Sequence, residues 1–378
     1  MVKSYLKVFI ILLIIDFLFS SIFLKNTIYW ENKNWEKKYW RISSEIYHHD
    51  LMPNVDVVEK WGDLLEYRIT TNSIGFRDKY NKKIEKNSKK KRILLLGDSF
   101  IEGSGLNYEN TFSGLLQSYL GKDYEVLNSA VASYSPSIYY AKANHFLSQG
   151  YEFDQALVFL DISDIYDELF VSLDSDGNLI SDKKNKSLKT NKNFIKQKIY
   201  KFGKILRDNS MTFRLLYLIS DNTEILKNYL KLKYKASKEL KKSFFKTSKV
   251  DVLFYRMTHI DRGFWTYDEK TYEHILKGLK QSELKLKKLF ELFEDHSIKS
   301  SLIIYPWPTQ IYFGDNKHEP HWKNFSEKNN IDFVNLYEVF NSDDSKNFIL
   351  KNFILGDIHW NKSGTKLVFD KIVNTLKF

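Results

Sequence analysis

Cysteine is absent from the 378-residue chain. Disulfides, thiolate metal sites and a cysteine nucleophile are therefore excluded, and the absence suits an oxidising compartment without requiring one. Proline is sparse at 5 residues and glycine reaches only 15, so collagen-like and Gly/Pro-rich linker compositions are excluded as well. No internal repeat is visible. Helix-turn-helix, zinc-finger and RNA-binding signatures are missing too, although the formal charge is +11. The excess is largely lysine, and a solvated lysine-rich surface accounts for it, so no nucleic-acid partner is expected. Metal-ligand spacing is equally lacking. The pair His48-His49 has no further ligands at fixed distance, and packing or surface histidines are the better reading; no metal or other cofactor is expected.

Long apolar runs are nearly absent, with one exception at residues 8–24. A stretch of about 17 residues is at the short end of what spans a bilayer as a helix. Asp16 interrupts it, at a cost of about 3 kcal/mol if placed at the bilayer centre. Lys3 and Lys7 precede the run as they would in a secretory signal, but no small-x-small cleavage site follows Ser20-Ser21. An uncleaved single-pass anchor over residues 5–24 is expected, attaching the chain to a membrane. Lys25, Lys33, Lys37, Lys38 and Arg41 follow it, so local charge does not favour export of the remainder.

What is present supports a large core: 43% of residues are hydrophobic and 16% aromatic. The most informative stretch is Arg92-Ile93-Leu94-Leu95-Leu96-Gly97-Asp98-Ser99-Phe100, followed by Glu102, Gly103 and Gly105. Ile93 to Leu96 has no polar alternation, the pattern of a parallel strand buried on both faces. A serine then stands at the strand's carboxyl end, where open α/β sheets place their chemistry. Helical spacing over 109–120, a strand at 124–127, a helix near 137–149 and a strand at 156–160 complete a parallel, doubly wound pattern. A long amphipathic helix is predicted at 269–294, with strands at 301–305 and 332–336 and an apolar-periodic helix to the terminus. His318, Pro320 and His321 fall in a stretch that reads as a loop. Residues 25–91 read as an N-terminal extension packed on the catalytic domain, and 168–250 as a basic helical insertion. The domain itself is expected in two parts, 92–167 and 251–378.

Gly-Asp-Ser-Phe after a first hydrophobic strand resembles block I of the SGNH (GDSL) hydrolases, in which this serine is the nucleophile. The closing phrase Asp357-Ile358-His359-Trp360-Asn361, before a last helix, resembles block V of that family. The resemblance covers residues 92–165 and 300–378. It implies a three-layer α/β/α fold with Ser99 as nucleophile, His359 as general base and Asp357 orienting His359. The family's usual aspartate lies three residues before the histidine, where this chain has Gly356; Asp357 is the nearer variant. For the oxyanion hole the resemblance implies the backbone N–H groups of Ser99 and of Ser133, which replaces the family's block II glycine. Ser163 stands at the block III asparagine, so a hydroxyl replaces an amide donor. Asp98, Asp161 and Asp164 could contact substrate, although Asp161 and Asp164 also fit plain helix caps. Trp307 and Trp360 would suit sugar stacking if exposed, while buried tryptophan is the commoner case.

These residues together predict acyl-ester chemistry. The membrane segment resembles that of SGNH-like proteins that add or remove acetyl groups on cell-surface polysaccharides, which implies an extracytoplasmic domain and an acylated glycan or small ester as partner. Hydrolysis and acyl transfer both remain open at this level. A catalytically weak or inactive glycan-binding or assembly component is the alternative, favoured by the serines at 133 and 163.

Overall fold

The computed structural model describes residues 2–23, 40–61, 65–171, 210–266 and 269–378. They fall into two compact units, Met1–Tyr39 with Lys184–Thr247, and Trp40–Lys183 with Ser248–Phe378.

The larger unit is built on a five-stranded parallel sheet. Its strands are β5 (Lys91–Leu96), β6 (Tyr124–Asn128), β7 (Gln155–Leu160), β8 (Lys299–Ile304) and β9 (Asp332–Asn335), in the spatial order β6-β5-β7-β8-β9. β7 is buried along its whole length and β5 from Arg92 onward, which is why both read as unbroken apolar runs. The helices between the strands are α3 (Phe112–Leu120), α4 (Pro136–Ser148) and α8 (Glu269–Asp295), with α12 (Lys362–Thr375) closing the chain. The crossover from β5 to β6 runs one way along the sheet and that from β6 to β7 runs back. Right-handed crossovers then put α3 and α4 on opposite faces. α12 packs with α3 and α8 packs with α4, giving three layers. The reversal point is the carboxyl end of β5, where Ser99 stands.

Ahead of the sheet lie two antiparallel pairs: β1 (Arg41–Ser43) with β2 (His49–Leu51), and β3 (Asp56–Trp61) with β4 (Leu65–Thr70). Asn72 holds the following turn, accepting from Ile74 N and Phe76 N. Arg77 N then donates to Asn128 O at 3.0 Å, fastening the extension beside β6. The remainder of the extension expected at 25–91, including Lys25, Lys33, Lys37 and Lys38, lies largely outside the described residues.

Two local readings change. The stretch holding His318, Pro320 and His321 is helix α10 (His318–Lys328), not a loop. Its proline falls in the first turn, where a missing N–H loses no helical bond. Glu168, taken as the start of the insertion, belongs to the larger unit. It is buried and accepts from Ser137 N at 3.1 Å and Gln281 Nε2 at 2.8 Å.

In the smaller unit, α1 (Val2–Phe23) meets α6 (Met211–Glu239). Asp16 accepts from the Ser210 hydroxyl and from Thr212 N, and Ser20 Oγ accepts from Met211 N at 2.9 Å. Both side chains thereby satisfy donors at the start of α6 that have no partner within that helix. Among the described residues no helix is long and apolar enough to cross a membrane. Within the expected insertion, residues 172–209 lie outside the described residues.

Candidate active site

Gly97 ends β5 against Ile101 and Phe159, so close that an added Cβ would lie 2.8 Å from Ile101. The chain turns at once into the short helix α2 (Ser99–Glu102). Asp98 caps it, accepting from Phe100 N at 2.9 Å. Ser99 is thus the first helical residue, and its own N–H belongs to the set that no helical carbonyl satisfies.

The other half of the site comes from 260 residues along the chain. After α11 (Ser345–Asn352), Phe353 bridges to Trp360, and Ile354 N donates to His359 O at 2.9 Å. The loop between them closes through Asp357 N to Ile354 O, with Gly356 at φ +82°. That left-handed angle suits glycine and disfavours aspartate. The position three before the histidine is thus a backbone hinge, and the carboxylate comes from Asp357. Asp357 Oδ1 accepts from His359 N at 3.0 Å and pairs with His359 Nδ1. His359 Nε2 lies 2.7 Å from Ser99 Oγ. Ser99, His359 and Asp357 therefore form one continuous hydrogen-bonded chain.

Trp61 completes it. Its Nε1 donates to Asp357 Oδ2 at 3.0 Å, and its ring stands edge-on to the His359 ring at 5.0 Å. Phe100 covers the same imidazole at 4.7 Å between centroids. Burial by itself lowers the His359 pKa, but the charge and hydrogen bond of Asp357 outweigh it, and the net shift is upward. Burial also works against the Asp357 carboxylate, yet His359 holds it down at about 2. An imidazole raised by a neighbouring carboxylate is poised to take a proton from Ser99.

Behind Ser99 lies a buried group of carboxylates, Asp98, Asp161 and Asp164, each offering an oxygen within 4.8 Å of the others. Asp98 accepts from Tyr305 OH at 2.9 Å, and its Oδ2 lies 3.2 Å from Ser99 Oγ, whose single proton faces His359 Nε2 at 2.7 Å. Asp161 caps α5 (Ile162–Asp167) and accepts from Trp307 Nε1 at 2.5 Å. Asp164 reciprocates with Asp161 N at 3.0 Å and accepts from Tyr139 OH at 2.9 Å. Desolvation, then Asp161, pushes Asp98 up to about 7. Desolvation raises Asp161 and Asp164 too. Like charges this close and this dry do not all ionise, so the group holds protons at neutral pH.

Other expected residues are placed differently. Ser163 is buried and gives its hydroxyl to Asp161 Oδ1 at 2.8 Å, so that proton is committed inside the cap. Trp307 and Trp360 are 1% and 2% exposed; neither offers a face to a sugar ring, and both serve as core beneath the site. Ser133 is exposed, at φ +64°, and its N–H donates to no protein acceptor among the described residues. His49, read as a packing residue, reaches Ala132 O with Nε2 at 2.7 Å. Sequence reading missed Trp61, Arg41, Glu102 and Tyr305. Only Glu102, three residues after Ser99, carried a local signal.

No family model matches the chain, and no curated protein does. Solved structures similar to it include TesA, at 10% identity over 76% of this chain and 98% of that one, with a TM-score of 0.37. A catalytic mutant of Axe2, an acetylxylan esterase from Geobacillus stearothermophilus, gives 12% identity over 78% and 97%, with a TM-score of 0.39. A member of the lipolytic protein G-D-S-L family from Veillonella parvula gives 11% over 75% and 97%, with a TM-score of 0.36. Identities and scores at this level establish neither family nor activity.

Proposed function

We propose that the larger unit is a serine acyl-ester enzyme of the SGNH type. One observation carries this: Ser99, His359 and Asp357, from opposite ends of the chain, join in a single hydrogen-bonded line. A serine hydroxyl needs a base in reach and a third group to orient that base, and this arrangement supplies both. Ser99 Oγ adds to the ester carbonyl carbon while its proton passes to His359 Nε2. Asp357 holds Nδ1–H and stabilises the imidazolium. Backbone N–H groups of Ser99 and Ser133 receive the oxyanion. The tetrahedral adduct collapses as the C–O bond to the leaving alcohol breaks and His359 returns the proton to that oxygen. Water or a sugar hydroxyl then takes the acyl group from Ser99 by the same steps in reverse.

The substrate class we propose is a small acyl ester, an acetylated cell-surface glycan foremost. The proposal rests on the resemblance carried by residues 92–165 and 300–378, with the N-terminal apolar segment, rather than on a sugar-binding surface, since the two tryptophans are buried. With Ser163 engaged by Asp161, only two donors serve the oxyanion. Loss of one donor lowers kcat by about 10²–10³, so a slow enzyme is expected, and the glycan-binding component remains the second reading. We further propose that α1 attaches the protein to a membrane, with the larger unit on the extracytoplasmic side.

The test is labelling of the full-length protein in detergent with a serine-directed fluorophosphonate, beside Ser99→Ala and His359→Ala. Labelling lost in both variants supports the reading. A folded wild type that resists the reagent favours the binding component.

A further inference from the structure

The loop that carries Ser133 is a tight turn in a conformation its sequence does not favour. Tyr134 N donates to Val131 O at 3.1 Å, and the left-handed angle is confined to Ser133, at φ +64°. This is a type II turn, which ordinarily has glycine or asparagine at that position. With serine there, the type I turn is intrinsically preferred. The two forms differ by a flip of the central peptide, Ala132–Ser133. Because a trans peptide is planar, its C=O and N–H point in opposite directions. Whatever holds Ala132 O therefore aims Ser133 N–H.

His49 holds Ala132 O, at 2.7 Å from Nε2. A carbonyl only accepts, so Nε2 is the protonated nitrogen, and Nδ1 is left to accept from His48 Nδ1 at 2.8 Å. The ring is fixed edge-on against Tyr134 at 5.0 Å, and Tyr134 OH donates to His49 O at 2.7 Å. Desolvation keeps His49 below its ordinary pKa, in the neutral form this geometry needs. The peptide before Ala132 is held as well. Ala132 N donates to Glu102 Oε2 at 2.7 Å. Glu102 is buried and paired with Arg41, with contacts of 2.6 and 3.0 Å. It is also the last residue of α2, the helix that Ser99 begins. One four-residue helix thus presents the nucleophile at one end and anchors the Ser133 turn at the other.

We propose that His49, acting with the Glu102–Arg41 pair that holds Ala132 N–H, is a positioning residue that locks the Ala132–Ser133 peptide so that Ser133 N–H serves as an oxyanion donor. The inference rests on the serine acyl-ester reading. Without His49 the turn relaxes to type I, Ser133 leaves the left-handed region, and its N–H turns away from the acyl oxygen. Ser133→Gly removes the conformational penalty and restores the type II turn without His49.

The experiment measures kcat and KM for p-nitrophenyl acetate with the full-length chain, together with Tm and fluorophosphonate labelling. The chains compared are wild type, His49→Leu, His49→Gln, Ser133→Gly and the double variant His49→Leu/Ser133→Gly. Loss of one oxyanion donor corresponds to roughly 10²–10³ in kcat; with partial flipping, His49→Leu is expected to lose roughly 10–100-fold in kcat at nearly constant KM. His49→Gln, whose amide can still donate to Ala132 O, recovers most of that. The double variant regains at least tenfold over His49→Leu, with Ser133→Gly alone giving the rate it is compared against. A merely structural His49 would lower Tm without a glycine rescue. A folded His49→Leu with unchanged kcat, or a double variant no better than the single one, overturns the proposal while leaving the serine reading intact. If His49→Leu does not fold, a His49→Gln chain that is folded but as slow as a Ser99→Ala control overturns it too. A wild type that neither labels nor turns over removes the serine reading and this inference with it.

Discussion

Asp357 and Asp98 both lie beside His359, yet their pKa values move in opposite directions. Asp357 is held down at about 2 by the imidazole, whereas burial, then Asp161, lifts Asp98 to about 7. The signs of the pH effects follow. Asp357 contributes stability above its ordinary value near 3.8 and loses it as pH falls through about 2. His359, raised in the folded state, contributes stability below 6.5 and loses it as pH rises through its folded value. Asp98 binds its proton more tightly folded than unfolded, so its contribution declines between about 4 and about 7 and is flat above. Asp98→Asn keeps an oxygen for Phe100 N and Tyr305 OH and removes the titrating group. Relative to wild type, its Tm should rise more at pH 8 than at pH 4, by a few degrees for each kcal/mol recovered. Equal Tm differences at the two pH values would show that Asp98 does not share the buried proton. For activity, with His359 as the proposed base, the ascending limb of kcat/KM should lie above pH 6.5. Asp357→Asn should move that limb to lower pH and reduce kcat by roughly 10³–10⁴ at pH 8, as expected when the imidazole loses its fixed tautomer. A pH–rate series on the two proteins checks both effects. Gly356→Asp tests the same corner from the other side. It restores the spacing of the block V resemblance but forces a side chain to φ +82° beside Leu253, so activity should fall, not rise.

At the scale of elements, what the sequence made legible is what local physics encodes. β5 and β7 are covered on both faces, so Ile93–Leu96 and Ala156–Leu160 could only read as continuous apolar runs. The Asp161 cap was visible in the two aspartates three apart, and the structure closes it as a reciprocal capping box. Ser99 and His359 were legible because each sits in a compact phrase at a strand or turn end. Trp61 was not: its partner Asp357 is 296 positions away, and nothing in a β-hairpin strand marks one tryptophan as reaching a distant carboxylate. The same holds for Arg41 and His49, whose partners Glu102 and Ala132 are 61 and 83 positions away. The exposure of Trp307 and Trp360 was open in the sequence, because an aromatic beside a site motif carries no record of what covers it; both are buried. The sheet also sets the stability scale. Leu95 is fully buried in β5, two residues before the turn to Ser99. Leu95→Ala should destabilise by about 2–5 kcal/mol, since the tightly packed strand leaves a cavity that cannot collapse. Urea unfolding should show a lower midpoint with an unchanged slope; a shift under 1 kcal/mol would mean the strand repacks freely.

For the molecule as a whole, the two units divide apolar surface unequally. The larger unit buries its aliphatic and aromatic residues in one continuous core around the sheet. On α1, by contrast, Val8, Ile11, Leu12, Ile14, Ile15, Leu18 and Phe19 are each more than half exposed. Covering even half of such side chains is worth several kcal/mol, at roughly 1.5–3 kcal/mol each for complete burial. Contiguous surface of that kind marks an interaction site. The +11 formal charge offers a second, electrostatic route to an anionic bilayer. The two routes separate with salt, because screening at high ionic strength weakens charge attraction and leaves apolar burial nearly untouched. Full-length protein mixed with phosphatidylcholine vesicles containing phosphatidylglycerol should float with them in a density gradient, and should still float in 0.5 M salt, an ionic strength at which the screening length is only about 3–10 Å. Leu12→Lys/Ile15→Lys, which puts charge into the apolar face of α1, should release the protein while leaving fluorophosphonate labelling of Ser99 unchanged. Flotation lost in salt by the wild type, or kept by the lysine variant, would assign membrane attachment to the basic surface and remove α1 as the anchor.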